Sequence, residues 1–119
     1  MNRIGVDIVE IARIENAIAR WRERFLRRIY TSAEIELCSS RPHSLAGRFA
    51  AKEAVMKALG CGFKGAPWRE IEILADSEGM PLVNLTGRAR ARADHLGIKQ
   101  VLVSLSHSNS QAIAYAHAG

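Results

Sequence analysis

Two carboxylates and a lysine, Asp7, Glu53 and Lys57, are reactive side chains set in otherwise apolar patterns. Asp7 lies in the alternating stretch Arg3-Ile4-Gly5-Val6-Asp7-Ile8, on the opposite side from Ile4, Val6 and Ile8. Burying a lone carboxylate in such a strand is costly, so Asp7 either faces solvent or has a partner. Glu53 and Lys57 stand one helical turn apart, on a face otherwise made of Ala46, Ala50 and Ala54. Such a pair can be an ordinary i,i+4 salt bridge on a solvated face, worth about 0.3–0.5 kcal/mol. It can equally be half of a metal and phosphate site, because the alanines leave room for something to lie along that face. Mg²⁺ prefers one or two carboxylates plus phosphate oxygens and water over an all-protein cage. Asp7 and Glu53 meet that requirement if the strand packs beside the helix.

Three further groups stand out. Lys52 falls within the apolar stripe of its helix; it either snorkels outward along its methylene stem or reaches a ligand or partner at the helix edge. On a continuous helical wheel, Arg13, Arg20, Arg24 and Arg27 fall within about 60° of one another. Collected arginines repel each other and favour an acidic partner, and Arg suits bidentate capture of carboxylate or phosphate. The run Ser104-Leu105-Ser106-His107-Ser108 puts hydroxyls and an imidazole at a strand end. That is either a polar hairpin turn or a place for phosphate binding and proton transfer.

Hydrophobic periodicity places these side chains on strands and helices. A strand over Arg3 to Ile8 precedes a helix from Ile11 to Ile29, whose stripe is Ile11, Ile14, Ile18, Trp21, Phe25 and Ile29. Thr31-Ser32-Ala33-Glu34 reads as a capping box opening a short helix, so the first helix breaks near Tyr30 or earlier. Pro42 suits the first turn of a longer helix ending at Leu59, with Gly60 as its stop. Its core stripe is Leu45, Phe49, Met56 and Leu59. Cys61 to Trp68, with Gly62, Gly65 and Pro67, reads as a loop. Glu70 to Leu74 and Leu82 to Leu85 pair as a hairpin around Asp76-Ser77-Glu78-Gly79. Thr86 can cap a helix running to Leu96 and closed by Gly97. Val101 to Ser106 and Ala112 to His117 are two more strands. This order predicts one α+β domain over residues 1–119, with a mostly antiparallel sheet packed against helices.

Composition narrows the function. At 119 residues and 48% hydrophobic, the chain has the length and apolar content for one core and is too apolar for disorder. No run of about eighteen apolar residues suggests a membrane helix, and the N-terminus lacks a signal-peptide layout. Cys38 and Cys61 therefore read as reduced thiols, and the cytoplasm is the expected location. The net charge of +5 points to an anionic partner: nucleic acid, a phosphorylated cofactor or an acidic protein. His43, His95, His107 and His117 lack zinc spacing, and there is no phosphate-binding Walker loop or dinucleotide glycine fingerprint.

Three blocks carry a resemblance across essentially the whole chain: Ile4-Gly5-Val6-Asp7-Ile8-Val9-Glu10-Ile11 with Arg13-Ile14, LAGRFAAKEAVMKALG from Leu45 to Gly60, and Val103 to His107. In these the chain resembles the holo-acyl-carrier-protein synthase family, the small bacterial phosphopantetheinyl transferases. The resemblance implies Mg²⁺-dependent transfer of the 4'-phosphopantetheine of coenzyme A to a serine of an apo-acyl carrier protein. Adenosine 3',5'-bisphosphate leaves, and the product serves fatty acid biosynthesis. It implies Asp7 and Glu53 as metal ligands and Lys57 as the pyrophosphate contact. Arg48, Lys52, Gly60, Ser106 and His107 match positions along coenzyme A. Arg13, Arg20 and Arg24 match the first-helix surface that docks the acidic helix of the carrier protein. The family forms homotrimers with active sites between subunits. The serine proton passes to Glu53 through a metal-bound water or to His107; the residues leave both open. A nucleic-acid-binding module accounts for the arginines but gives Asp7 and Glu53 no role, so no nucleic acid and no membrane is expected as partner. A silent carrier-binding subunit would not need Asp7, Glu53 and Lys57 together.

Overall fold

A computed structural model describes residues 2–61 and 67–119, so the loop expected at Gly62 and Gly65 lies outside the described residues. The elements run β1 (Arg3–Glu10), α1 (Ile11–Trp21), α2 (Glu23–Ile29), α3 (Ser32–Cys38), α4 (Pro42–Leu59), a 3₁₀ turn (Trp68–Glu70), β2 (Ile71–Ala75), β3 (Pro81–Leu85), α5 (Gly87–His95), β4 (Val101–His107) and β5 (Gln111–Ala118). β1, β5 and β4 form one sheet in that order, and β2 pairs with β3 in a second. All these pairings are antiparallel, as the α+β reading expects.

The central helix α4 is buried on nearly every side. Leu45, Phe49, Val55, Met56 and Leu59 fill the core on one side, and Ala46, Ala50, Ala54 and Ala58 are equally buried on the other. The sheet lies against this alanine face. Its helix-facing residues are small too: Ala112, Ala114, Ala116 and Ala118 of β5 are all buried. Gly5 brings β1 closest, because a Cβ there would collide with the Ala54 carbonyl and lie 2.9 Å from the Ala58 nitrogen. The space that the alanines leave is therefore taken up by strands, which corrects the expectation of room along that face for a ligand.

The strand-to-face assignment of β1 also turns out opposite to the usual apolar-inward rule. Gly5, Asp7 and Val9 face α4, while Ile4, Val6 and Ile8 stand 63%, 53% and 56% exposed on the outer side. Leu102, Ile113 and Tyr115 join them there, with Ser104, Ser106 and His117 in the same register rows.

Two of the local signals are kept and a third is not. Thr31 and Glu34 form the complete capping box of α3, and Gly60 ends α4 in the left-handed region at φ 70°. Thr86 occupies the N-cap position of α5 without making a side-chain cap; Glu70 Oε1 instead accepts from the Ala89 N–H.

The long first helix is split. Arg22 adopts φ 47° and ψ −125°, its N–H donating to the Ile18 carbonyl while its own carbonyl accepts from Leu26 N–H. A side chain with a Cβ is strained in this region, whereas glycine is not. Arg22→Gly is therefore expected to stabilise the fold by about 1 kcal/mol, raising the thermal midpoint by roughly 3 °C; calorimetry on the two proteins measures it.

Candidate functional site

β1 crosses α4 at Gly5, and this crossing sets the site. Because Gly5 lets backbone approach backbone, the next inward side chain, Asp7, is carried against the middle of α4, where Glu53 and Lys57 project. Lys57 Nζ donates to Asp7 Oδ1 at 3.1 Å and to the Val6 carbonyl at 3.0 Å. The Asp7 side chain is only 13% exposed, whereas that of Lys57 is 54% exposed. Glu53 is half-buried beside them. Its pKa is raised, first by burial and then by the negative charge of Asp7, with Lys57 and Arg13 acting in the opposite direction. A carboxylate whose ionisation is opposed by a second one beside it is a place where a divalent cation is favoured. Among the described residues no group of three or more metal-ligating side chains occurs. The pair therefore fits a hard cation that completes its shell with ligand oxygens and water, as Mg²⁺ does.

Arg13 links this pair to a groove of about 510 Å³ between α1, α2 and α4. Arg13, Trp21, Arg24, Phe25, Arg28 and Phe49 line it. Trp21, expected in the core stripe, is 46% exposed, and the guanidinium groups of Arg20 and Arg24 lie 5.0 and 5.8 Å from its ring centroid. The single wheel of Arg13, Arg20, Arg24 and Arg27 is corrected by the break at Arg22, which restarts the helical phase. Arg27 pairs with Glu23 on an exposed surface at 3.2 Å, and Arg28 takes its place in the groove. Sequence reasoning missed Arg28 because the only sign of the break, a non-glycine residue at positive φ, is silent in composition.

The remaining expected residues divide. His107 pairs with Ala112, which also pairs with Val9, so His107 shares the helix-facing side of the sheet with Asp7. There its ring meets that of His43 from the start of α4, edge to face, with centroids 5.2 Å apart. Ser106 alternates to the outer face, in register with Ile113 and Ile8. Arg48 turns toward the second sheet, with Nε 3.4 Å from the Ile73 carbonyl. At Gly60, Arg3 and Arg92 hold the last carbonyls of α4, Ala58 and Leu59, at 2.6 and 2.8 Å.

Lys52 is corrected on both expectations. It neither snorkels nor lines a ligand site, because its side chain is 0% exposed. Its three ammonium protons go to Glu34 Oε1, the Trp68 carbonyl and the Ile71 carbonyl, at 2.7, 2.8 and 2.6 Å. None is left for a phosphate. Burial lowers the lysine pKa, and Glu34 works against that shift.

Comparison with known proteins gives one consistent answer. The chain is 52% identical over 118 residues to the holo-[acyl-carrier-protein] synthase of Herpetosiphon aurantiacus, covering 93% of each chain. It is 57% identical over 110 residues to that of Dehalococcoides mccartyi, covering 92% of each. Its fold matches the crystal structure of Helicobacter pylori holo-[acyl-carrier-protein] synthase in complex with coenzyme A, with a TM-score of 0.88 and 38% identity, over 98% of this chain and 99% of that one. The family model of the 4'-phosphopantetheinyl transferase superfamily matches residues 3–116. With nearly its whole length matched, and with Asp7, Glu53 and Lys57 brought to one point, the chain belongs to the 4'-phosphopantetheinyl transferase superfamily.

Proposed function

We propose that this protein transfers the 4'-phosphopantetheine arm of coenzyme A to a serine of an apo-acyl carrier protein, with Asp7 and Glu53 holding Mg²⁺. The observation that carries this reading is the meeting of Asp7, Glu53 and Lys57 where β1 crosses α4. When bound, Mg²⁺ supplies charge neutralisation and Lewis-acid polarisation of the pyrophosphate oxygens. The chain's own residues supply alignment and charge. Lys57, half-exposed and held by Asp7 and the Val6 carbonyl, can release Asp7 and turn to the pyrophosphate, where negative charge builds on the leaving group. Glu53 on α4 and His107 on the helix-facing side of the sheet are the two groups offered as acceptor of the serine proton. Gly60 and His107 are assigned to the coenzyme A path, with Arg48 on the β2 side and Ser106 on the outer face.

The basic groove leads from the surface to Glu53 through Arg13, and suits an acidic helix of the carrier protein. Arg24 and Arg28 test this without touching the carboxylate pair. Reversing both to Glu is expected to raise KM for the carrier at least about tenfold while KM for coenzyme A stays within about twofold. Steady-state kinetics in each substrate measures the split, and equal changes in both would sink the docking assignment.

The apolar outer face of the sheet supports assembly into the homotrimer, since six large exposed apolar side chains, Ile4, Val6, Ile8, Leu102, Ile113 and Tyr115, share it. Ile113→Arg is expected to shift the sedimentation coefficient to that of a smaller species and to lower activity with it. Unchanged sedimentation would move the interface elsewhere. No helix among the described residues is long and apolar enough to cross a membrane.

Incubation with coenzyme A, Mg²⁺ and an apo-acyl carrier protein tests the reaction directly. Intact mass spectrometry of the carrier should show a gain of one phosphopantetheine, abolished by a chelator. No gain with several carriers would overturn the proposed activity.

A further inference from the structure

The contact between α4 and its sheet is alanine on alanine. Ala46, Ala50, Ala54 and Ala58 meet a sheet whose middle strand offers Ala112, Ala114, Ala116 and Ala118. Small side chains permit close approach but provide no large knobs to fix how far the helix is rotated or slid. Yet Glu53 must stand opposite Asp7, and a shift of about 1 Å is enough to spoil such a constellation.

The opposite side of α4 carries the large side chains Leu45, Phe49, Val55, Met56 and Leu59, and among them one directional polar anchor. Lys52 precedes Glu53 by one residue, about 100° round the helix. Its ammonium is tied to three acceptors on two other segments: Glu34 of α3, and the Trp68 and Ile71 carbonyls at the start of β2. Glu34 is itself immobilised. Its Oε1 accepts from Thr31 N–H at 2.8 Å and its Oε2 from Ile73 N–H at 2.8 Å, and it too is 0% exposed. Three directional bonds fix the ammonium, and because the stem is fully buried as well, rotating or sliding α4 strains or breaks them. A buried ion pair adds little net stability over an apolar replacement, but can specify one arrangement among several.

We propose that Lys52 and Glu34 are positioning residues whose buried pair sets the rotation and axial position of α4, and thereby the place of the Glu53 carboxylate opposite Asp7. This rests on the reading of Asp7 and Glu53 as the metal-holding pair. The test is metal affinity without turnover. Mn²⁺ is titrated in the presence of coenzyme A and the absence of carrier, with free Mn²⁺ followed by electron paramagnetic resonance and fold integrity by the urea midpoint. The double variant Lys52→Met with Glu34→Gln removes both charges at similar volume. It is expected to unfold cooperatively while binding Mn²⁺ about 10–100-fold more weakly, the usual range for loss of a group that orients a metal ligand. Lys52→Arg keeps the charge, but a planar fork cannot serve the same three acceptors; it is expected to fold and to lose Mn²⁺ affinity in the same direction. If the double variant fails to fold, the arginine variant decides. A folded variant that binds Mn²⁺ as tightly as the wild type, whatever its urea midpoint, would show a merely structural pair and overturn the proposal. A wild type that binds no Mn²⁺, or binds it equally well after Asp7→Asn, would instead overturn the metal reading beneath it.

Discussion

Glu53→Gln should lower turnover by roughly a thousandfold, about 4 kcal/mol on the barrier, and leave the fold intact. Gln keeps the volume and one oxygen but not the charge that a divalent cation needs. The same change should slightly stabilise the metal-free protein at neutral pH, because the wild-type carboxylate is destabilised there by burial and by Asp7. The pH dependence follows with a definite sign. Glu53 has a raised pKa in the folded protein, so between the ordinary glutamate value and that raised value the folded chain binds more protons than the unfolded one. Stability of the metal-free protein therefore falls as pH rises through this window. Mg²⁺ must displace the same proton, so its affinity rises across the window and levels off above it. Thermal midpoints against pH, with and without Mg²⁺, read both slopes. Glu53→Gln should remove this contribution in each case. A variant with wild-type turnover at saturating Mg²⁺ would take Glu53 out of the metal site.

A single added methyl at Gly5 should do comparable damage by a different route. A Cβ there would meet the Ala54 carbonyl and the Ala58 nitrogen, both backbone atoms of a helix that is anchored on its far side by Lys52. Neither can swing aside as a side-chain tip could, so β1 must move. Gly5→Ala is expected to destabilise by about 3 kcal/mol, a fall of roughly 10 °C in thermal midpoint. Whatever remains folded should hold Asp7 further from Glu53. Turnover measured well below the new midpoint should then be reduced along with Mg²⁺ activation. Loss of stability with wild-type kinetics would mean that the crossing at Gly5 shapes the core but not the site.

How much of this was legible in the chain differs from residue to residue. The capping box at Thr31 and Glu34, the left-handed stop at Gly60 and the strand period around Asp7 are local consequences of side-chain chemistry, and the folded protein keeps them. Asp7, Glu53 and Lys57 could be singled out because charge in an apolar pattern needs an explanation. Their contact across about fifty residues could not be, since it depends on where Gly5 lets β1 meet α4.

Other features had no local signature at all. The break at Arg22 places a positive φ on a residue type that rarely takes one, so Arg28 reached the groove unannounced. The outward facing of Ile4, Val6 and Ile8 inverts the normal rule for a strand, and follows from the close helix contact that only Gly5 and its alanine neighbours allow. Glu34 looked finished once it had capped α3, and Lys52 looked like an anomaly of its stripe. Each was half of a pair whose other half lay on a different element. Periodicity and capping chemistry set most elements and several of their ends, Arg22 excepted, and composition set the chemical types available at the site. Which face of β1 is buried, which arginines share a groove and where Lys52 finds its counter-charge are set by packing between segments distant in sequence, and no local pattern encodes them.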